Sequence, residues 1–398
     1  MKLWIKYLLA LAVGYLYIAF IPYFSDQIEW VHTITRVFSL ALPWVLYPLV
    51  FFTASSASAF VKRQRQFARL LKWSLLWSAA THLLLVLMAG VIAYQVAAPT
   101  VLPQFASAAP EFSPLNSLTA ALQLSHLPMW LVLASGLIIG LALQPGDERY
   151  IQGYQAVNSF GEVFFRISRC ASELLTLGII AFSSAVVLQH REISLLSQEY
   201  VLLLVVLLSS LIAVLLMLPL ITMILCSRRH PYRWLLSLAA PYLAAGVSGK
   251  YLLGVLPLYG HTRTNVGAAK SVSSLTIPWY MIAGRGGTAM VTAVISVSVI
   301  TGYGGEANPM LLAAAAGGLS IAVSFLAVFV PGFELPFSVL LVLSAFQIPA
   351  EILAGTAAVS LLLQGAAASV DIMISGMGTG YTAQKLDAEL ETSWKDMQ

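Results

Sequence analysis

Residues 234–258 read WLLSLAAPYLAAGVSGKYLLGVLPL, an apolar stretch crowded with Gly, Ala, Ser and Pro. Its length would let a helix cross a bilayer, since about 20 apolar residues suffice. Its flanks argue against crossing. Arg228, Arg229 and Arg233 precede it, and His261, Arg263 and Lys270 follow it. Basic loops collect on the cytoplasmic side of a membrane protein. The stretch therefore begins and ends on one side, and is expected to enter the membrane and return.

The rest of the chain supports a membrane setting. Of 398 residues, 59% are hydrophobic and only 10% charged, and mean hydropathy is +0.85. Soluble domains carry about 25% charged residues. The net charge of +4 does not point to nucleic acid, because the cations sit in short loops between apolar segments, as at Lys62, Arg63, Arg65, Arg69 and Lys72. Spanning helices are expected over 3–23, 38–60, 73–97, 117–143, 158–189, 200–226, 274–301 and 350–377. The first has a basic start like a signal peptide, but it has spanning length and no small-residue cleavage site follows, so it reads as a retained span. Counting sides from a cytoplasmic N-terminus makes 309–348 a second re-entrant stretch, entering from the opposite face. Glycine- and alanine-rich segments also serve as close helix-packing faces; the count of sides favours re-entry. The expected fold is all-α and polytopic: eight transmembrane helices with two opposed re-entrant helical hairpins. Irregular backbone at membrane depth is tolerated where protein or a water-filled cavity surrounds it, and in transporters such broken segments meet at the substrate site.

Ionisable residues inside a membrane are costly, about 2.5–3.5 kcal/mol each on insertion scales. Four fall at inferred depth: Lys250, Arg285, Glu334 and Asp371. Arg285 lies in SLTIPWYMIAGRGGTAMV (274–291), between Gly284 and the pair Gly286–Gly287. Those glycines allow the helix to unwind, freeing carbonyls and leaving room for a ligand. The planar guanidinium suits a carboxylate. It equally suits a structural ion pair with Asp371 or Glu334. Lys250 reads as a site residue or as a hairpin-tip lysine reaching water, Asp371 as a proton carrier or a counter-charge, and Glu334 as a charge facing water at a gate. Ser248, Thr288, Ser324 and Ser375 are small polar residues that line a site or pack helices. Glu162, Arg166, Arg169 and Glu173 form a ladder at helical spacing, expected to be a helix entrance or interface network.

No phosphate-binding loop and no nucleophile–base pair stands out, so no enzyme is expected. The six histidines, His32, His82, His126, His190, His230 and His261, are scattered, and the two cysteines, Cys170 and Cys226, lie in or beside spans. Neither set has metal-ligand spacing. No metal site and no cofactor is expected.

The order of elements resembles the glutamate transporter family, the dicarboxylate/amino acid:cation symporters. SPLNSLTAALQLSHLPMWLVLASGLIIGLAL (113–143) is similar to the family's fourth span and VNSFGEVFFRISRCASELLTLGII (157–180) to its fifth. HPYRWLLSLAAPYLAAGVSGKYLLGVLP (230–257) resembles the first hairpin, with its tip at Ser248–Gly249 and its closing proline, Pro257. Pro257 and Pro278 are 21 residues apart, a separation the family shares. VPG at 330–332, with Pro331 and Gly332, resembles the second hairpin's tip, and LLLQGAAASVDIMISGMGTG (361–380) is placed like the eighth span.

The resemblance implies an elevator-type secondary transporter in the cell (inner) membrane, multi-pass in the lipid bilayer, with both termini cytoplasmic, assembled as a homotrimer. A scaffold part is expected over 1–60 and 113–190, a transport part over 73–97 and 200–377, and a cytoplasmic tail over 378–398. The chain departs from the family pattern where cations bind. The motif Asn-Met-Asp-Gly-Thr stands here as Gly284-Arg285-Gly286-Gly287-Thr288, and Asn-Val-Thr-Gly-Asp as Met373-Ile374-Ser375-Gly376-Met377. Sodium is a hard ion that wants oxygen ligands, which thioether sulfur does not supply. The first expectation is transport of a small organic anion, a dicarboxylate or acidic amino acid, on Arg285 and Lys250 with Gly284, Gly286, Thr288 and Ser375, while Asp371 and Glu334 balance charge. The coupling cation is then a proton, or there is none, rather than sodium. Two other readings stand beside it: a neutral amino acid carrier of the same fold, and a transport-dead membrane sensor or structural relative.

Overall fold

A computed structural model describes residues 2–20, 28–97, 129–143, 148–190, 198–226, 231–303, 309–327, 330, 333–348 and 359–388. The described elements are helices: α1 (Leu3–Phe20), α2 (Ile28–Arg63), α3 (Phe67–Ile92), α4 (Met129–Ala142), α5 (Glu148–His190), α6 (Gln198–Ile212), α7 (Leu218–Cys226), α8 (Pro231–Ser237), α9 (Ala239–Ser248), α10 (Tyr251–His261), α11 (Lys270–Ala283), α12 (Gly286–Tyr303), α13 (Pro309–Leu326), α14 (Glu334–Ala345) and α15 (Ser360–Lys385). Three single wide turns, Ala93–Ala97, Ala213–Met217 and Thr262–Val266, extend α3, join α6 to α7 and follow α10.

Six helical stretches among the described residues are long and apolar enough to cross a membrane, from Glu29–Arg63 to Ser360–Lys385. Leu3–Ile18 and Met129–Ala142 are shorter apolar helices; most of the expected fourth span, 117–128, lies outside the described residues. The first residues of the expected tail, 378–385, continue the last helix. Helix α15 runs to Lys385 with Thr379, Tyr381, Thr382 and Ala383 buried, and Ala269 N–H bonds the Ala388 carbonyl at 3.0 Å. Thr379 and Tyr381 are held by Thr276 and Trp77, which keeps these last turns in the core.

Residues 234–258 fold as the expected hairpin. α9 and α10 have 10 and 11 residues, so each reaches about 15 Å at 1.5 Å per residue, half a hydrocarbon core. They pack against each other around Gly249, whose φ of +66° is left-handed. α13 and α14 pack together likewise, with Val330 and Phe333 in the turn between them.

Contacts fall into two groups. α1, α2, α4 and α5 pack on one another. The first hairpin, α3, α11 and α12 gather around α15, and the second hairpin packs on α12 and α3. The groups meet where α11 lies on α2, α9 on α1 and α10 on α5. Burial separates inner from outer helices: the most apolar window is 94% buried in Lys270–Ile300 and 83% in Ser360–Lys385, against 39–50% in the other four. The two inner stretches therefore meet protein on nearly every side, and they carry Arg285 and Asp371.

Gly249 is a test of the hairpin. A Cβ there would be strained by the positive φ and would lie 2.8 Å from Leu361 Cδ1. Gly249→Ala is expected to lower stability by about 1–2 kcal/mol. Gly318→Ala, where a Cβ meets nothing within 4 Å, is expected to be neutral or slightly stabilising. Denaturant unfolding of the two variants in detergent checks the contrast.

Candidate functional site

The span containing Arg285 is cut in two. α11 ends at Ala283, Gly284 and Arg285 are not helical, and α12 restarts at Gly286. A cut helix exposes the first N–H groups of its second half. Asp371, fully buried on α15, meets them. Its Oδ1 accepts from Gly287 N–H at 2.6 Å and Thr288 N–H at 3.2 Å, and its Oδ2 accepts from Thr288 Oγ1 at 2.7 Å. A carboxylate at a helix N-terminus also meets the positive end of the helix dipole. The approach is close enough to require glycine: a Cβ on Gly287 would lie 2.4 Å from the Ala367 carbonyl oxygen. The carbonyl of Ala283, at the other cut end, accepts from Ser78 Oγ on α3.

Arg285 is 4% exposed and stands between two carboxylates. Nη1 lies 3.8 Å from Asp371 Oδ2, and Nη2 lies 3.7 Å from Glu334 Oε1 at the start of α14. These are ion pairs longer than a direct hydrogen bond. Nε donates to the Met281 carbonyl at 3.0 Å. The guanidinium carbon sits 4.3 Å from the centroid of the Tyr251 ring, within cation–π range. Ser375 Oγ donates to the Asp371 carbonyl at 2.8 Å. Its one proton is thereby used, so the contact with Tyr251 Oη at 2.8 Å has Tyr251 as donor. α10, α11, α14 and α15 thus converge on one guanidinium.

Of the residues singled out in the sequence, Arg285, Asp371, Glu334, Thr288, Ser375, Gly284 and Gly286 come together here. Lys250 is placed elsewhere: its ammonium donates to Ser39 Oγ on α2 at 2.6 Å, across the boundary between the two packing groups. Ser248 Oγ donates within its own helix to the Ala244 carbonyl at 2.6 Å. Ser324 Oγ does the same, to Ile321. Pro257 lies inside α10, and its carbonyl accepts from His261 Nδ1. Pro331 and Gly332 lie outside the described residues. The α5 ladder is spent on helix contacts, with Glu162 on Lys270 and Glu173 on Lys6. His82 is buried; its Nδ1 donates to the Ser78 carbonyl at 2.8 Å and its ring stacks on Phe325 of α13 at 4.9 Å. Tyr251 was not foreseen as a site residue. Its one sequence signal is an aromatic directly after the Gly249–Lys250 tip.

The cap and the ion pair make a testable unit. Asp371→Ala leaves two buried N–H groups and a buried guanidinium short of partners, and is expected to cost about 3–5 kcal/mol. Thr288→Ala removes one hydrogen bond and is expected to cost about 1 kcal/mol. Arg285→Gln combined with Asp371→Asn is expected to be more stable than the sum of the single changes allows. Thermal unfolding of Asp371→Ala, Thr288→Ala, Arg285→Gln, Asp371→Asn and the double variant measures the coupling.

A family profile described as the sodium:dicarboxylate symporter family matches residues 3–385, nearly the whole chain. A comparison with curated proteins finds no match. The profile covers the two hairpins, the cut span and α15 together, the same elements that build the site. The chain therefore belongs to the sodium:dicarboxylate symporter family, has the elevator-type glutamate-transporter fold of that family, and is a multi-pass membrane transporter, not an enzyme.

Proposed function

We propose that this secondary transporter carries a small organic anion, a dicarboxylate or acidic amino acid, whose carboxylate takes the place of Glu334 beside Arg285. The observation that carries this reading is the 3.7 Å pair between Arg285 Nη2 and Glu334 Oε1. Asp371 is fixed by its bonds to α12, whereas Glu334 enters from the first turn of a hairpin arm and is partly exposed. Glu334 then acts as a built-in competitor: when α14 moves away it leaves a buried cation, and a solute carboxylate satisfies it. The 3.8 Å pair between Arg285 and Asp371 favours a second reading. With Arg285 paired to Asp371, the site suits a net-neutral amino acid, carboxylate to Arg285 and ammonium to Glu334.

The family's description implies sodium as co-transported cation. The side chains of this site fit it poorly. Asp371 already accepts from three donors and faces Arg285, and Met373 and Met377 bring buried sulfur rather than oxygen. We therefore propose coupling to protons, or none. The helices α1, α2, α4 and α5 form the scaffold in this reading. The group around α15 moves against them, in a trimer within the cell membrane, with both termini cytoplasmic.

Uptake by proteoliposomes tests the assignment. Arg285→Gln is expected to reduce uptake of the carried anion by roughly tenfold or more, the worth of a charged hydrogen bond, with the folded protein retained. Glu334→Gln is expected to lower the KM for the same anion. A KM left unchanged by Glu334→Gln, with a neutral amino acid as the preferred solute, favours the second reading. Absence of uptake for every anion and amino acid tried, in folded protein, favours the transport-dead alternative. A proton gradient is expected to drive uptake without sodium; strict dependence on a sodium gradient overturns the coupling proposal.

A further inference from the structure

Lys250 and Tyr251 are consecutive residues with contacts in different packing groups. Lys250 has extended backbone, with φ −127° and ψ 115°, and Tyr251 opens α10. Successive side chains on extended backbone point to opposite sides. The Tyr251 ring lies against the Arg285 guanidinium at 4.3 Å. The Lys250 ammonium reaches the other way, to α2, where Ser39 Oγ accepts at 2.6 Å. Ser39 gives its own proton to the Thr35 carbonyl at 2.6 Å. One peptide bond therefore joins the solute site to the helices α1, α2, α4 and α5.

The Lys250 contact is poorly matched in charge. An ammonium carries three donors, and among the described residues Ser39 Oγ is its one side-chain acceptor. That acceptor is neutral, whereas a cation at membrane depth is normally paired with an opposite charge. The carboxylate that acts on Lys250 electrostatically is Glu334. Glu334 is held loosely, since its Oε1 lies 3.7 Å from Arg285 Nη2, longer than a hydrogen bond. Asp371 is no alternative, because three donors from α12 already hold it. Two cations thus share one loosely held carboxylate, and a hydroxyl on α2 keeps one of them away.

We infer that Lys250 exchanges partners, from Ser39 on α2 to Glu334 on the second hairpin, and that this exchange frees Arg285 for the solute carboxylate. Ser39 belongs to the scaffold, so sliding of the hairpins leaves it behind. The Lys250 ammonium then takes Glu334, and Nη2 of Arg285 is released. With Ser39 engaged, Glu334 stays on Arg285 and the site blocks itself. Lys250 is a positioning residue that acts through Glu334. The consequence for solute binding rests on the anion-carrier reading above, whereas the exchange itself is measured without a solute.

Double-mutant cycles in detergent test the exchange. Lys250→Gln and Glu334→Gln are made singly and together, with Ser39 present and with Ser39→Ala, and thermal unfolding is followed. Residues that interact depart from additivity. Ser39→Ala is expected to enlarge that departure by a few degrees in melting temperature, and Lys250→Arg to preserve it. An equal departure with and without Ser39, or none in either, overturns the inference. Uptake of succinate and aspartate by proteoliposomes tests the consequence. Ser39→Ala is expected to lower the KM several-fold and Lys250→Gln to raise it, and both effects are expected to vanish with Glu334→Gln. KM changes of the same sign, or changes that persist with Glu334→Gln, overturn the inference. An enlarged departure from additivity with no uptake in any folded variant supports the exchange and overturns the anion-carrier reading alone.

Discussion

The structure depends on how one cut in a buried helix is sealed. Breaking the chain between Ala283 and Gly286 leaves backbone N–H groups far from water, where each unsatisfied group is costly. Asp371 supplies the acceptors, and its own burial is offset by Thr288, two backbone N–H groups and the nearby Arg285. Removing either charge leaves the other buried without its ionic partner, which is costly. The cap and the ion pair are therefore one interaction, and α12 and α15 are locked in register by it.

The hairpins are tied to the same point by weaker contacts. α10 reaches it through the Tyr251 ring and its hydrogen bond to Ser375. α14 reaches it through Glu334, at a distance longer than a hydrogen bond. The strong contacts are thus internal to α12 and α15, and the loosest belongs to the arm that bears a partly exposed carboxylate. Such a gradient suits a site that keeps its frame while one wall exchanges partners. Lys250 takes no part in the frame; its bond to Ser39 links the first hairpin's tip to α2.

Much of this was legible in the sequence because membranes punish disorder of a particular kind. Basic loops and span lengths fixed which segments cross, and the side count alone required 234–258 to turn back. Gly249 supplied the turn, since its positive φ is rarely open to other residues. The glycines at 284, 286 and 287 announced the break for the same reason. The rarity of charge at depth pointed to Lys250, Arg285, Glu334 and Asp371.

What the sequence could not rank was partnership. Lys250 and Arg285 look alike as buried cations, yet one faces Ser39 and the other two carboxylates. That choice depends on the rotation of α10 about its axis and on which helix it meets, and neither is written in local pattern. Tyr251 was missed because an aromatic in an apolar helix has no distinguishing neighbours along the chain. α15 runs past 377 because Gly378 and Gly380 pack closely against Trp77, Trp234 and Tyr280. The sequence by itself determined the membrane class, the two hairpins, the broken span and the scarce charges, since each follows from the cost of polar groups in hydrocarbon. Only the tertiary structure decided which charges pair, because pairing is set by distances between helices that the chain order does not contain.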